Sequence, residues 1–158
     1  MLISKFIIMK RVQLFFILAA SLLSFVACEN GHNNDLPNNP TSKCYKGTMK
    51  VDQNDGTFYT QNDVEVDYEI KDGKLNFVMY KVKFASGMPI KLDMVVEGAD
   101  YFDTGSSYTV SGDGLVPYAM GGPYEQFTIT ELEGEITDNS FTLNFICGEY
   151  PVTYSGTK

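Results

Sequence analysis

The chain has 158 residues, which is enough for one domain and too few for two. Its composition is that of a globular protein, with 44% apolar and 20% charged residues, and ten Tyr, 11 Phe and 14 Gly without any Trp favour β structure. A single histidine excludes most histidine-based catalysis, and with only three cysteines it leaves little for a zinc site. The formal charge is −8, and without residues 1–27 nine basic and 20 acidic residues remain. The resulting charge of −11 argues against nucleic acid or anionic lipid as a partner.

Residues 1–27 have the pattern of a signal peptide. A basic MKR precedes 16 uncharged, mostly apolar residues, fewer than the roughly 20 that a membrane-spanning helix needs. Ala27 followed by Cys28 is similar to a bacterial lipobox, in which the cysteine is lipidated and becomes the new N-terminus; Phe25 stands where leucine is usual. An ordinary secretory signal with a chance cysteine is the alternative, and Met9 is an alternative start.

The next segment, residues 28–43, is predicted to be a tether. After Cys28 it reads ENGHNNDLPNNPTSK, with five Asn, two Pro and almost no apolar side chains. Such a sequence buries too little surface to offset its ordering entropy, so we predict a flexible link to one domain at residues 44–158. His32 lies in this link, where neither a ligand role nor a catalytic role is expected.

From Cys44 onward, apolar and polar residues alternate and no helix is indicated. In NDVEVDYEIK, Val64, Val66 and Tyr68 share one face and acidic residues share the other, as in a strand with one solvated side. Eight such segments are present: 45–51, 62–71, 74–84, 88–97, 106–112, 126–136, 140–147 and 151–157. We therefore predict an all-β fold, a single eight-stranded antiparallel barrel rather than a sandwich, because eight strands close around side chains or one small ligand.

Asp72-Gly73 is the strongest hairpin signal in the chain. A two-residue turn there predicts the cross-strand pairs Lys71–Lys74, Ile70–Leu75, Tyr68–Phe77 and Val66–Met79. The same register leaves an apolar stripe on the outer face: Val78, Tyr80, Val82 and Phe84. Three explanations stay open, namely a bulge between residues 77 and 82, a covering segment of the same chain, and a partner or dimer surface.

These strand patterns resemble a known family, the calycin-like β-barrel lipoproteins of Bacteroides-type bacteria. The matching segments are YKGTM at the start, VEVDYEIKDGKLNFVMYKVKF leading into MPIKLDMVV in the middle, and VTYSGTK at the end. The likeness spans residues 43–158. It implies an eight-stranded, lipocalin-like barrel of unknown function on the envelope side of a membrane, an outer-membrane lipoprotein facing either the periplasm or the cell exterior. It implies no set of catalytic residues.

The cysteines offer one possible disulfide. Cys44 and Cys147 could pair in an oxidising compartment. In an up-and-down barrel, however, a strand of about seven residues would separate them by ~20 Å, beyond disulfide reach. Unless the barrel closes as a Greek key, a buried, inward Cys147 is expected.

Acidic clusters do not predict a metal or catalytic site. VDQNDG looks like the start of a calcium loop, but counted from Asp52 the fifth position, where Asp or Asn is needed, is Gly56, so a turn is predicted. Glu131, Glu133 and Glu135 alternate with apolar residues and indicate a solvated strand face. Neither a catalytic triad nor a phosphate-binding loop is present in the sequence. We therefore expect no cofactor, no metal and no enzymatic activity.

The long connection at residues 112–125, GDGLVPYAMGGPYE, is the segment most suited to binding. A ligand cavity beneath it is the leading hypothesis, for a small apolar molecule or a glycan or peptide fragment. Gly47, Gly134 and Gly156 would leave space inside. The candidate ligand-binding residues are Tyr45, Met49, Tyr68, Phe77, Met94, Tyr118, Met120 and Tyr124. The alternative is a filled barrel that acts as a scaffold or interaction lipoprotein, with the loop or the apolar stripe touching another envelope protein.

Overall fold

The computed structural model of this chain describes residues 44–158. The predicted signal peptide, the predicted lipidation site Cys28, the predicted tether and His32 all lie outside the described residues. No helix within residues 44–158 has the length and apolar character needed to cross a membrane.

Nearly all of the described part is β structure. The eight long strands are β1 (Tyr45–Asp52), β2 (Phe58–Lys71), β3 (Lys74–Val82), β4 (Leu92–Asp103), β5 (Ser107–Gly112), β8 (Ile129–Thr137), β9 (Ser140–Cys147) and β10 (Tyr150–Thr157). Between β5 and β8 lie two short strands, β6 (Tyr118–Ala119) and β7 (Gly122–Pro123), and a 3-10 turn at Glu125–Phe127.

The eight long strands form a closed antiparallel barrel, as predicted. Each pairs with its neighbours in the chain, β5 pairs with β8, and pairing of β1 with β10 completes the circle. All connections therefore run from one strand to the next around the wall, which is an up-and-down barrel.

The two ends of this barrel differ in their connections. At the turn end, β1 begins, β10 ends, and short turns at 72–73, 104–106 and 138–139 join neighbouring strands. At the loop end lie the connections 53–57, 83–91, 113–128 and 148–149. Consecutive strands alternate in direction, so successive connections lie at opposite ends of the barrel. The three longest connections, 53–57, 83–91 and 113–128, all lie at the loop end.

The β2–β3 hairpin has the predicted register. Lys71 pairs with Lys74, and the three inward pairs follow as Ile70–Leu75, Tyr68–Phe77 and Val66–Met79. Asp72 and Gly73 both have positive φ, 52° and 74°, the conformation that a two-residue primed turn requires.

A bulge at Lys81 explains half of the apolar stripe. Lys81 has φ 52° and the β3–β4 register shifts between Met79 and Val82. Val82 and Phe84 are thereby turned into the core. Val78 and Tyr80 keep the outward phase; they are nonetheless only 1% and 9% exposed, and the Tyr80 hydroxyl has no hydrogen-bond partner.

Strand β4 differs from its predicted bounds of 88–97. It begins at Leu92 and continues to Asp103, passing through a second bulge at Gly98, where φ is +84°. The Gly98 N–H donates to the side-chain oxygen of Asn76 at 2.9 Å. The buried Asn76 side chain thus satisfies a backbone group that the bulge removes from the ladder, which a strand pattern alone does not reveal.

Candidate functional site

The five candidate residues inside the barrel lie in one continuous core. Tyr45, Met49, Tyr68, Phe77 and Met94 are at most 9% exposed and all belong to the same buried cluster. A ligand could reach them only if the packed interior opened. A binding role for these five residues stays a prediction.

Phe141 of β9 lies at the centre of the aromatic part of this core. Its ring centroid is 5.5 Å from that of Tyr45, 5.9 Å from Tyr68, 6.4 Å from Phe77 and 6.2 Å from Tyr154, each in an edge-to-face arrangement. Rings from five strands meet in this cluster, so it holds the wall together from within.

The hydroxyls of Tyr45 and Tyr154 form hydrogen bonds within the core. Tyr45 donates to the Thr137 carbonyl at 2.7 Å, and the Tyr154 hydroxyl lies 3.1 Å and 3.3 Å from the carbonyl oxygens of Tyr45 and Val64. Burial raises the pKa of Tyr68 to about 12 and raises that of Tyr154 further. The phenols are therefore neutral at physiological pH. The Tyr45 hydroxyl connects β1 to β8, and the Tyr154 hydroxyl connects β10 to β1 and β2.

Neighbouring atoms occupy the space beside the three glycines that were expected to leave room inside the barrel. A Cβ on Gly156 would lie 2.1 Å from the Tyr154 hydroxyl, and one on Gly47 would lie 2.0 Å from the Ser155 carbonyl oxygen. A Cβ on Gly134 would lie 2.7 Å from a Leu143 methyl carbon. These glycines permit close packing and leave no empty volume for a ligand.

The 112–125 connection is part of the barrel wall. Tyr118 pairs with Val95 of β4, and Leu115 exchanges two backbone hydrogen bonds with Ile129 of β8, at 3.0 Å and 2.8 Å. The segment thus fills the gap between β4 and β8 beyond the end of β5. It therefore extends the wall and does not fold across the end of the barrel.

The three candidate residues of this connection do not converge with those inside the barrel. Tyr118 and Met120 face solvent, with 49% and 72% exposure. Tyr124 instead packs on Phe127, with ring centroids 5.2 Å apart. The eight predicted ligand residues are therefore divided between a buried core and an exposed hairpin.

A cleft of about 670 Å³ opens at the loop end, and none of the eight predicted residues lines it. We call it the end cleft. The β3–β4 connection contributes Met88 and Pro89, the 3-10 turn contributes Gln126 and Phe127, and the β9–β10 turn leads to Glu149 and Tyr150. The cleft has the volume of a small-molecule site.

The floor of the end cleft is fixed by close contacts. Phe127 packs on Phe84 with ring centroids 5.6 Å apart, and the Met88 sulfur accepts the Phe84 N–H at 3.2 Å. Gly148 donates its N–H to Thr128 at 2.9 Å, and a Cβ there would lie 2.4 Å from the Gln126 carbonyl oxygen. Only glycine allows this approach, at φ +63°.

Beneath the cleft, Cys147 is a free, buried thiol, so it does not pair with Cys44. Its sulfur lies 3.6 Å from the Phe127 carbonyl oxygen, and burial raises the pKa of the thiol. As expected, the side chain points inward at the end of β9 and packs in the core below Phe127. A buried thiol with a raised pKa is unreactive.

The acidic motifs have the predicted local roles. Asp52 accepts the Asn54 N–H at 2.9 Å and Asp55 accepts the Thr57 N–H at 2.8 Å, which makes this connection a turn. Glu131, Glu133 and Glu135 are exposed along β8. Within residues 44–158 no three acidic, histidine or cysteine side chains cluster as they would to hold a metal ion.

The chain is similar to a known protein in its structure, whereas its sequence matches none of the family models or curated proteins. The crystal structure of a "putative outer membrane protein" from Bacteroides fragilis NCTC 9343 is similar, with a TM-score of 0.52 and 18% identity. The alignment covers 75% of this chain and 51% of that protein, so the chain spans about half the length of the structure that it matches. At this identity the likeness shows the fold alone.

Proposed function

We propose that this protein is a lipid-anchored component of the bacterial envelope and that its filled barrel is a scaffold for contact with another envelope protein. The lipobox-like Ala27-Cys28 and the resemblance to calycin-like lipoproteins support the anchor. The name of the similar Bacteroides fragilis structure supports the location. The proposal includes no catalytic step and no cofactor.

The distribution of exposed apolar side chains carries this proposal. Of the six exposed large hydrophobic residues within 44–158, five lie at the loop end: Phe58, Ile90, Val116, Tyr118 and Met120. The sixth, Phe102, lies at the turn end with 69% exposure. Three of the five, Val116, Tyr118 and Met120, lie within five residues of one connection. Such a local group of exposed apolar side chains is typical of a protein-contact site.

The β6–β7 hairpin presents two of these side chains in a fixed position. Pairing with β4 at Val95 holds the hairpin against the wall, and a 2.8 Å hydrogen bond from the Tyr124 N–H to the Pro117 carbonyl closes its base. A fixed aromatic anchor loses little conformational entropy on binding, which is why tyrosine is frequent at such contacts.

The competing proposal is a carrier with a ligand inside the barrel, and the filled interior counts against it. Native mass spectrometry of the chain purified from its own envelope separates the two. We expect the bare mass of the lipidated chain. A reproducible extra mass that disappears in Tyr68→Ala or Phe77→Ala would favour the carrier.

Site-specific cross-linking tests the contact directly. A photoreactive phenylalanine analogue is placed at position 118 of the full chain in its native envelope, and a matched chain carries it at position 102. We expect a discrete cross-linked product from position 118 and none from position 102. Equal products from both positions, or none from position 118, would contradict the proposal.

A further inference from the structure

We propose that the end cleft binds an organic cation, an alkylammonium or guanidinium group supplied by a free amine or by a lysine or arginine side chain. This inference goes beyond the proposed function, because it concerns a separate site that needs no contact with the β6–β7 hairpin.

The first step of the argument is that the end cleft is already formed. Its three contributing segments are joined by the Gly148–Thr128 hydrogen bond, the close approach of Gly148 to Gln126 and the Phe84–Phe127 ring contact. Asn54 adds a fourth segment, since its side chain donates to the Glu149 carbonyl at 2.7 Å. A ligand would therefore meet walls that need no further ordering.

The second step is the chemistry of the lining. The half-exposed rings of Phe127 and Tyr150 and the Met88 thioether provide aromatic and apolar contact, and Glu149 is the single charged side chain among the lining residues. No lysine, arginine or histidine of residues 44–158 lines the cleft. A hydrogen bond to the Glu149 carboxylate raises the pKa of Tyr150, which places ring and carboxylate next to each other.

The third step is selection by charge. A cation over an aromatic ring is attracted by the ring quadrupole, and a neighbouring carboxylate adds to that attraction. The alkyl part of such a ligand would contact Met88 and Pro89. The chain beyond residue 27 carries −11, so its net charge attracts cations and repels anions.

Methyl NMR of the full chain in non-ionic detergent, with ¹³C-labelled methionine methyls, tests the proposal. n-Butylammonium is the cationic probe and n-butanol its neutral counterpart of similar shape. We expect n-butylammonium to shift the Met88 methyl signal in a saturable way and to leave that of the exposed Met120 in place. n-Butanol should bind about tenfold more weakly, the equivalent of one partly screened charge pair.

Matched variants assign the effect to named groups. Glu149→Gln should weaken n-butylammonium binding about tenfold, and Tyr150→Leu about threefold. Glu125→Gln is the control, because Glu125 is an exposed acid on the neighbouring 3-10 turn that does not line the cleft. It should leave affinity unchanged.

The source of the cation is distinguished by a further pair of probes, an end-blocked Gly-Lys-Gly peptide and its norleucine analogue. Tighter binding of the lysine peptide than of n-butylammonium points to a polypeptide side chain, and equal binding points to a free amine; both support the proposal. Equal responses to n-butylammonium and n-butanol would overturn it. So would the lack of a saturable Met88 shift, or an affinity unchanged by Glu149→Gln.

Discussion

The two ends of the barrel show how one fold separates stability from recognition. At the turn end, connections of two or three residues leave the strands in register, and the rings of Tyr45, Tyr68 and Phe141 fill the space between them. At the loop end, the connections 83–91 and 113–128 are long enough to build a cleft and an exposed hairpin. Long connections can carry function because a rigid wall supports them. In this barrel the aromatic core at the turn end makes the wall rigid, and the long connections lie at the other end.

The largest effect that would test this comparison is the loss of the central ring. Phe141→Ala removes the side chain that contacts four other rings, and we expect a loss of about 3–5 kcal/mol in the free energy of unfolding. Urea denaturation measures it. Phe102→Ala, an exposed phenylalanine at the same end, is the matched control and should change stability by less than about 0.5 kcal/mol. Similar losses in the two variants would contradict the central role of Phe141.

Alkaline pH should weaken the turn end next. Burial raises the pKa of Tyr68 from 10.0 to about 12, so the folded state holds this proton more tightly than the unfolded chain does. The resulting stabilisation is complete below pH 10 and is lost as the pH rises from 10 to about 12, amounting to about 1–2 kcal/mol because solvent screens this partly buried phenol. Unfolding free energies measured between pH 9 and pH 12 should fall less steeply in Tyr68→Phe. An unchanged slope would show that Tyr68 is not the titrating group.

The smallest effect on stability is expected at the loop end. Met120→Ser and Tyr118→Ser alter side chains that face solvent, so the free energy of unfolding should stay within about 0.5 kcal/mol of the parent chain. We expect these variants to keep their thermal midpoint and to lose association with the cross-linked partner. That result would separate recognition at the loop end from stability at the turn end. A large loss of stability would instead mean that the side chains of Tyr118 and Met120, and not only the hairpin backbone, hold the wall together.

Local signals made the β2–β3 hairpin predictable from the sequence. Asp72-Gly73 selects a two-residue turn, and alternation fixes which side of each strand faces inward, so the register of Ile70–Leu75 and Tyr68–Phe77 follows. The bulge at Lys81 was one of three open explanations, because lysine carries no local signal for its positive φ. Tertiary packing of Val82 and Phe84 selects that backbone conformation.

The end cleft could not be predicted in the same way. Its lining comes from the connection after β3, the 3-10 turn before β8 and the turn after β9, which are far apart in the chain. Each looks like an ordinary turn in the sequence, and only closure of the barrel brings the three together. The filled interior was the alternative hypothesis from the sequence, and the choice between it and a cavity depends on how Phe141 meets rings from other strands.

The direction of β1 has a consequence for the orientation of the molecule at a bilayer. Tyr45 begins this strand at the turn end, beside the C-terminal end of β10. The 17 residue steps from Cys28 to Tyr45 could span at most about 55–60 Å if fully extended. A lipid on Cys28 would thus attach the barrel at its turn end, and the end cleft and the β6–β7 hairpin would lie at the end away from the point of attachment. Anchorage and recognition would then occupy opposite poles of a single barrel.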